Sequence, residues 1–191
     1  PQDPAYLSTL SEFLTRLHLA QGGSMLTLFT NRKEMEECFD LANPQIKAAG
    51  LRLVCQKWGV SVKGLRDDFL KDEHLSLFAL KSFWEGFDAP GATLKGVVIP
   101  KLPFGLPTDP LSCERKLHDS RAWAHFSLPQ AVIAIKQAVG RLIRTSSDKG
   151  IVVLADKRLV TKHYGKKFLN SLPTKNIVSL TMDEIIEEIE A

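Results

Sequence analysis

The sequence predicts an α/β domain in which a mostly parallel central sheet is covered by helices on both faces. Short apolar segments alternate with longer segments of helical periodicity along the chain, which is the pattern of βαβ units. The apolar segments are continuous rather than alternating, as in strands that are buried on both faces. With 191 residues the chain is long enough for one domain with a sizeable core. We therefore expect a single domain over residues 1–191.

The first third of the chain predicts a helix, a strand and a second helix. Within a lead-in segment at residues 1–23, the leucines of residues 5–20 recur at helical spacing and glycines follow the last turn. The apolar segment 25–30 is predicted to be a strand. Asn31 then opens the second helix, and Glu34 three residues later completes the pattern of a capping box.

The remaining elements follow from the same two periodicities. Further strands are predicted at residues 51–56, 74–80, 94–102 and 150–156. Further helices are predicted at residues 62–72, within 112–126, at 128–144 and at 161–172. The buried face of the longest helix is predicted to consist of Val132, Ile135, Val139, Leu142 and Ile143. A C-terminal extension, residues 174–191, is predicted to hold an edge strand at 176–180 and a helix at 181–190.

Composition and charge limit the kinds of function that this chain can have. No apolar run approaches the length of a membrane span, and the three cysteines form no CxxC pair, so we expect free thiols in a cytoplasmic protein without a membrane partner. The net charge is only +3, but nine Lys and Arg face two Asp between residues 141 and 175. Such a basic segment is typical of nucleic-acid or phosphate binding, although a solvated face is the alternative. The chain begins without Met, so we expect it to be part of a longer polypeptide.

The segment QAVGRLIR carries an unusual polar stripe on the predicted longest helix. Gln137, Arg141 and Arg144 are spaced by four and then three residues, so they share one helical face, and Gly140 beside them permits close approach of a ligand or another backbone. Guanidinium groups match phosphate oxygens in geometry and charge. The alternative is a pair of surface arginines that bridge to carboxylates.

The segment SFWEGFDAPG, which follows a predicted strand, crowds aromatic, acidic and glycine residues into one loop. Loops of this kind often carry function, although a buried Trp beside a polar turn is an equally simple interpretation. Residues 86–93 imitate a phosphate-binding loop, but Ala92 replaces the required Lys and Pro90 removes a backbone N–H. We therefore expect no complete nucleotide site in this chain, and an arginine stripe without a phosphate-binding loop suggests half of a shared site.

Four segments in a fixed order carry a resemblance to a known family: SFWEGFDAPG, KLPFGLPTDPL, QAVGRLIRTSSDKGIVVLADKR and YGKKFLNSLP. Together they resemble the second motor domain of the DinG helicases, in the XPD-like branch of superfamily 2. The resemblance extends from about Met25 to Pro173. It implies a three-layer RecA-like domain, one of two that bind ATP in the cleft between them. The N-terminal motor domain of the same polypeptide is absent from this sequence.

The resemblance also implies roles for individual residues. QAVGRLIR corresponds to motif VI, in which Arg144 as the arginine finger and Arg141 beside it would act on the ATP phosphates. The implied ATP-binding residues are Gln137, Gly140, Glu85, Gly86 and Asp88. The implied nucleic-acid-binding residues are Thr30, Asn31, Ser82, Phe83, Lys157 and Arg158. Four aromatic side chains are candidates for stacking on bases, although burial is the simpler expectation for most of them: Trp84, Trp123, Phe126 and Tyr164.

Cofactors and partners follow from the same resemblance. It implies ATP with Mg²⁺, the metal being held mainly by the missing domain, and in many family members an iron–sulfur cluster that also lies in the missing domain. The partner is single-stranded DNA, with 5′→3′ movement. Two alternatives remain open: a DinG-type nuclease whose motor-like domain binds single-stranded DNA without unwinding, and a binding module that kept the motor fold.

Overall fold

The apolar segments of the chain form one parallel sheet in a computed structural model that describes residues 4–57, 59–80, 83, 94–106, 108–142 and 150–191. The strands are β1 (Met25–Phe29), β2 (Arg52–Cys55), β3 (Leu75–Leu80), β4 (Gly96–Ile99) and β5 (Ile151–Leu154). Their order is β2-β3-β1-β4-β5, and every neighbouring pair is parallel. The predicted fold class is confirmed.

Helices connect these strands. They are α1 (Tyr6–Gln21), α2 (Arg32–Ala48), α3 (Val62–Lys71), α4 (Pro110–His118), α5 (Leu128–Leu142), α6 (Arg158–Thr161), α7 (Gly165–Ser171) and α8 (Met182–Glu190). A π-helical turn, Trp123–Ser127, leads directly into α5. In the described part of the chain, no helix is both long and apolar enough to span a lipid bilayer.

The sheet separates two apolar cores, because successive side chains of a strand point to opposite faces. In β1, Leu26 and Leu28 belong to the core beneath α3, α5 and α7, whereas Met25 and Phe29 belong to the core beneath α1, α2 and α8. Four of the five side chains predicted for the buried face of α5 are buried or partly buried, and Ile143 lies outside the described residues. The domain therefore has three layers, with the sheet in the middle.

The connections create a crevice at one end of the sheet. β1 lies between β3 and β4; the chain leaves β1 towards α2 on one face, and leaves β4 towards α5 on the other. In open α/β sheets, ligands bind at such a switch point, outside the carboxyl ends of the strands. The fold thus places the segments that follow β1, β4 and β5 along one edge, which we call the carboxyl edge.

The capping box predicted at Asn31 forms only in part. The Asn31 side chain accepts a hydrogen bond from the Glu34 amide at 3.3 Å, as an N-cap residue does. The Glu34 carboxylate, however, accepts a hydrogen bond from the Lys101 ammonium group at 2.5 Å. A tertiary ion pair has therefore replaced the return half of the box.

Two predictions in the last third of the chain are wrong. The helix predicted at residues 161–172 begins only at Gly165, as α7, because Lys162 has an extended backbone and ends α6 before it. A Cβ on Gly165 would lie 1.9 Å from the Leu159 carbonyl oxygen, so the chain can turn this tightly only at glycine. Residues 176–180, predicted as an edge strand, form no strand, and they reach the solvent instead of the sheet.

His18 is a titratable group buried in the core. Its side chain is fully buried, with Nε2 3.1 Å from the Thr27 hydroxyl oxygen and its ring edge against Phe78. Burial lowers the pKa of His18 from 6.5 to about 3. The folded domain therefore holds a neutral imidazole where the unfolded chain would take up a proton.

We expect acid to destabilise the domain through His18. Because the folded pKa lies below the unfolded one, the full stability is present above pH 6.5 and is lost as the pH falls towards 3. The free energy of unfolding should fall by about 1.4 kcal/mol per pH unit within this window. Denaturant unfolding at several pH values should show a shallower dependence for His18→Gln than for the wild type.

The exposed His118 provides the control for this measurement. In His118→Gln, which keeps His18, the loss of stability on acidification that is assigned to His18 should persist. If His18→Gln and the wild type lose stability in parallel on acidification, the assignment of the effect to His18 is wrong.

Candidate functional site

Three segments that sequence reasoning treated separately meet at the carboxyl edge. Thr30 and Asn31 follow β1, residues 100–104 follow β4, and residues 156–158 follow β5. β4 pairs with both β1 and β5, so its following segment lies between the other two. The segment 100–104 is therefore in a position to connect the two nucleic-acid-binding regions predicted from the sequence.

An ion pair joins the segment after β4 to α2. Lys101 Nζ lies 2.5 Å from Glu34 Oε1, with both side chains about four-fifths buried, and the same ammonium group lies 4.7 Å from the centre of the Tyr6 ring. The pair fixes the start of α2, where Asn31 caps the helix and Thr30 is exposed. The N-terminus of this helix is suited to a phosphate group, as predicted, but no contact in the structure tests that role.

The carboxylate of Asp156 joins the same segment to α6. Its side chain is only 7% exposed. Asp156 Oδ2 accepts a hydrogen bond from the Leu102 amide at 2.8 Å, and Oδ1 accepts one from the Arg158 amide at 3.0 Å. The Arg158 guanidinium donates to both oxygens, with Nε 2.9 Å from Oδ1 and Nη2 2.6 Å from Oδ2.

These contacts stabilise both charges of the pair. Burial alone would raise the pKa of Asp156, but the hydrogen bonds from the Arg158 side chain and from the Leu102 and Arg158 amides outweigh it and hold the pKa below its usual value. The hydrogen bond to Asp156 in turn raises the pKa of Arg158. Arg158 is therefore a charged but paired residue.

An aromatic pocket lies beside this pair. Its volume is about 200 Å³, and its lining residues are Phe104, Gly105, Leu106, Ser112, Lys116, Trp123, Ser127, Arg158 and Tyr164. Phe104 is at the centre, with ring centroids 5.6 Å from Trp123, 5.8 Å from Tyr164 and 5.9 Å from Phe168. The Arg158 guanidinium carbon lies 5.3 Å from the centre of the Phe104 ring.

Two of the candidate stacking residues are exposed, and of these two Trp123 lines the pocket. Trp123 is 39% exposed and Phe126 36% exposed, contrary to the expectation that most of the four candidate stacking residues would be buried. Tyr164 is partly buried, and Trp84 lies outside the described residues. Lys157 is exposed next to the pocket. Exposed aromatic rings with cations beside them are suited to single-stranded nucleic acid, since bases stack on the rings and phosphates are attracted by positive charge.

The arginine stripe is described only in part. Gln137 is exposed on α5, and Arg141 follows it by one helical turn, while the Arg141 side chain and Arg144 lie outside the described residues. No heavy atom of the described part of the chain lies within 4 Å of the position that a Cβ on Gly140 would occupy. Within the described residues, α5 is therefore uncovered at Gly140.

The loop after β3 holds the other predicted site residues. Ser82, Glu85, Gly86 and Asp88 lie outside the described residues, so their roles stay predictions. Phe83 is described and corrects one prediction, because its side chain is fully buried in the core beneath α5 and cannot contact DNA. Its ring contributes to the core instead of the DNA-binding surface.

Sequence reasoning missed three residues of this edge: Lys101, Phe104 and Asp156. The sequence could have indicated Asp156, because a carboxylate at the end of a predicted buried strand requires a partner. Lys101 and Phe104 lie in a segment used only to recognise the family. The contacts of Lys101 with Glu34 and of Phe104 with Tyr164 each join residues that are 60 or more positions apart. Contacts between such distant residues leave no local pattern in the sequence.

The cysteines and acidic residues give no indication of a metal site. Cys38 and Cys55 are buried, and burial raises the pKa of each thiol to about 12, far from the thiolate form that binds metals. Among the described residues, no group of three or more His, Cys, Asp or Glu side chains is arranged to hold a metal ion.

Comparison with known proteins identifies relatives over most of the chain. The sequence pattern of the helicase C-terminal domain family matches residues 14–175. The chain is 38% identical over 175 residues to the ATP-dependent DNA helicase YoaA of Haemophilus influenzae, covering 89% of this chain and 27% of that protein. It is 30% identical over 187 residues to the 3′-5′ exonuclease DinG of Bacillus subtilis, covering 95% and 20%. The chain thus spans about a quarter of the length of the curated relatives it matches.

Solved structures confirm the fold. An XPD helicase structure superimposes with a TM-score of 0.67 at 20% identity, covering 86% of this chain and 30% of that chain. S. cerevisiae Dbp5 bound to RNA and ADP-BeF3 gives a TM-score of 0.59 at 15% identity, covering 97% and 43%. The predicted RecA-like architecture is confirmed by these neighbours.

Proposed function

Since this chain belongs to the family of helicase C-terminal domains, we propose that it is the second motor domain of a DinG-like ATP-dependent DNA helicase. The observation that carries the proposal is the family match over residues 14–175, which contains the Q-x-x-G-R-x-x-R pattern but no phosphate-binding loop. The domain then completes an ATP site whose phosphate-binding loop belongs to the N-terminal motor domain of the same polypeptide.

The ATP half-site lies on the open side of α5. Gln137, Gly140 and Arg141 occupy one face near the end of the helix, and Arg144 follows within one turn. In this proposal Arg144 reaches the γ-phosphate and stabilises the charge that develops during its transfer, while Arg141 binds the phosphates beside it. Mg²⁺ is held mainly by the first domain, and any iron–sulfur cluster also belongs there.

The loop after β3 completes this half-site. Glu85, Gly86 and Asp88 lie near the nucleotide, and Ser82 contacts the DNA strand in front of them. β3, which this loop follows in the sequence, pairs with β1, and Thr30 and Asn31 follow β1. The position of one loop between nucleotide and strand gives a direct mechanical link between ATP turnover and DNA binding.

The DNA path follows the carboxyl edge. Thr30 and Asn31 bind a phosphate group at the N-terminus of α2. Lys157 attracts the backbone of single-stranded DNA, and Arg158 acts with the aromatic pocket beside it. The ion pair of Lys101 and the hydrogen bonds of Asp156 hold these regions in one rigid arrangement.

Movement follows from coupling the two sites. ATP binding closes this domain on its partner because the arginines of α5 complete the phosphate site, and hydrolysis removes that attraction. If each domain binds the strand more tightly in one of the two states, the closing and opening cycle moves the protein along single-stranded DNA, with 5′→3′ polarity by family resemblance.

A nuclease-linked motor is the second candidate function. A relative from Bacillus subtilis is named a 3′-5′ exonuclease and matches 95% of this chain at 30% identity. In that protein class the motor-like domain would bind single-stranded DNA for degradation without unwinding a duplex.

One pair of assays separates these functions. The full-length protein should displace a labelled strand from a 5′-tailed duplex only when ATP and Mg²⁺ are present, and should leave single strands intact. Shortening of the labelled strand without displacement supports the nuclease-linked motor. DNA binding without ATP turnover in either assay points to a binding module and contradicts both catalytic proposals.

Arg144→Ala in the full-length protein should abolish ATP hydrolysis but leave the dissociation constant for single-stranded DNA within about twofold. Loss of an arginine finger lowers turnover by about 10³-fold or more, whereas the DNA path does not include this residue. Steady-state ATPase rates and fluorescence anisotropy with an oligonucleotide measure the two effects.

Arg52→Ala is the matched control, because Arg52 is an exposed arginine at the opposite end of the sheet, where it pairs with Asp72. Its turnover should equal that of the wild type. Normal ATPase activity with weakened DNA binding in Arg144→Ala would contradict the assignment of Arg144 to the ATP site.

Gly140→Ala should stabilise the domain but impair ATP turnover. Alanine in a helix interior is favoured over glycine by about 1 kcal/mol, and the open space at Gly140 admits the methyl group. In the closed state, however, that space is required by the nucleotide or the partner domain. Thermal unfolding and ATPase rates test the two effects.

Gly64→Ala, in α3, is the control substitution. A Cβ there would make ordinary contact with Ser61, with its nearest atom at 3.6 Å. This variant should gain stability without a change in turnover. Full ATPase activity of Gly140→Ala would show that nothing approaches α5 at this position.

A further inference from the structure

Asp156 occupies one of the two edges through which the Arg158 guanidinium can bind a phosphate group. Arginine recognises a phosphate group with two parallel N–H donors on one edge of the guanidinium. In Arg158 the Nε and Nη2 groups point to Asp156 instead, at 2.9 Å and 2.6 Å. A full carboxylate, 7% exposed, balances the charge at this contact.

The same carboxylate fixes the aromatic wall. The Leu102 amide donates to Asp156 Oδ2 at 2.8 Å, which ties the segment after β4 to β5 two residues before Phe104. Phe104 in turn contacts Trp123 and Tyr164. One side chain therefore sets the position of both the guanidinium and the central ring of the pocket.

The pocket is too small for a nucleotide but has the walls for a flat group. Pockets for drug-sized ligands occupy about 300–1,000 Å³, and this one has about 200 Å³. Its walls include the rings of Phe104, Trp123 and Tyr164, the Arg158 guanidinium, whose charge is paired with Asp156, and the side chain of Lys116. Aromatic rings and guanidinium planes are the groups on which unpaired bases stack.

We propose that Asp156 is a positioning residue that makes this pocket bind the flat face of an unpaired nucleobase rather than a phosphate group. It does so by holding Arg158 as a paired, planar side chain beside Phe104. This inference rests on the proposed binding of single-stranded DNA, and it adds which part of the strand the pocket contacts and which residue determines that choice.

The test uses the full-length protein with two probes of equal length and charge: an oligothymidylate and an abasic oligonucleotide. The double variant Asp156→Asn with Arg158→Gln removes both charges and leaves the net charge unchanged. We expect its affinity for oligothymidylate to fall about tenfold, as on loss of one stacked base, while its affinity for the abasic strand stays that of the wild type. The slope of log affinity against log salt concentration should also be unchanged.

Single variants distinguish the positioning of Arg158 by Asp156 from a general effect of charge on DNA binding. Asp156→Asn alone leaves the Arg158 cation unpaired, so the slope of log affinity against log salt concentration should steepen by about 0.7. In the same variant, a 2-aminopurine base in the strand should lose the fluorescence quenching that depends on stacking. Arg158→Lys keeps the positive charge but removes the planar guanidinium group. Its affinity for oligothymidylate should fall, while the slope of log affinity against log salt concentration stays the same. Lys157→Gln is the control for a phosphate contact. It should weaken the binding of both probes equally and flatten the dependence of affinity on salt concentration.

Three results would overturn the proposal: an equal loss on both probes for the double variant, a flatter salt dependence of that variant, or wild-type binding by Arg158→Lys. Far-UV circular dichroism and the thermal unfolding midpoint identify variants that fail to fold, and Arg158→Lys, which retains a cation for Asp156, then carries the test. If the wild-type protein binds neither probe, the proposed DNA function fails instead, and that outcome is distinct from a reversed preference between the probes.

Discussion

The buried carboxylate of Asp156 is the interaction on which the carboxyl edge of this domain depends. It accepts hydrogen bonds from two backbone amides and one guanidinium, and thereby joins the segment after β4 to the start of α6. A buried charge that lost these partners would be strongly destabilising, because nothing else would compensate for its removal from water. Together with the ion pair between Lys101 and Glu34, this contact makes three separate loops behave as one surface.

This arrangement separates the part of the domain that forms a packed core from the part that carries the proposed binding sites. One face of the sheet is covered by α1, α2 and α8, whose buried side chains form an apolar core. The carboxyl edge and α5 carry instead the charged, aromatic and glycine residues of the proposed binding sites. In the proposed motor cycle, a domain that closes on a partner keeps its own binding surface rigid, since flexible loops would absorb the movement. The hydrogen-bonded edge supplies that rigidity.

The sequence was sufficient for the parts of the fold that depend on local patterns. Continuous apolar segments predicted all five strands, Asn31 predicted the start of α2, and the spacing of Ile135, Val139 and Leu142 predicted the buried face of α5. It failed where a distant contact decides the outcome. Residues 176–180 are apolar enough for a strand but do not pair with the sheet, and Phe83 belongs to a motif but packs inward. The helix predicted from residue 161 begins only at Gly165, where the Leu159 carbonyl group lies close to the backbone. Within the site, Arg158 was predicted from its charge, whereas its partner Asp156 required the structure.

The π-helical turn at Trp123–Ser127 gives the aromatic pocket a particular sensitivity to chain length. Such a turn holds one residue more than an α-helical turn. Deleting a single residue there would let α5 continue as an ordinary helix and would rotate everything before it by about 100°, the angle per residue of an α-helix. The indole of Trp123 would then leave Phe104 without any change in the residues of the pocket itself. Variation in the length of this short connection is therefore a means by which related domains can gain or lose the pocket in one evolutionary step.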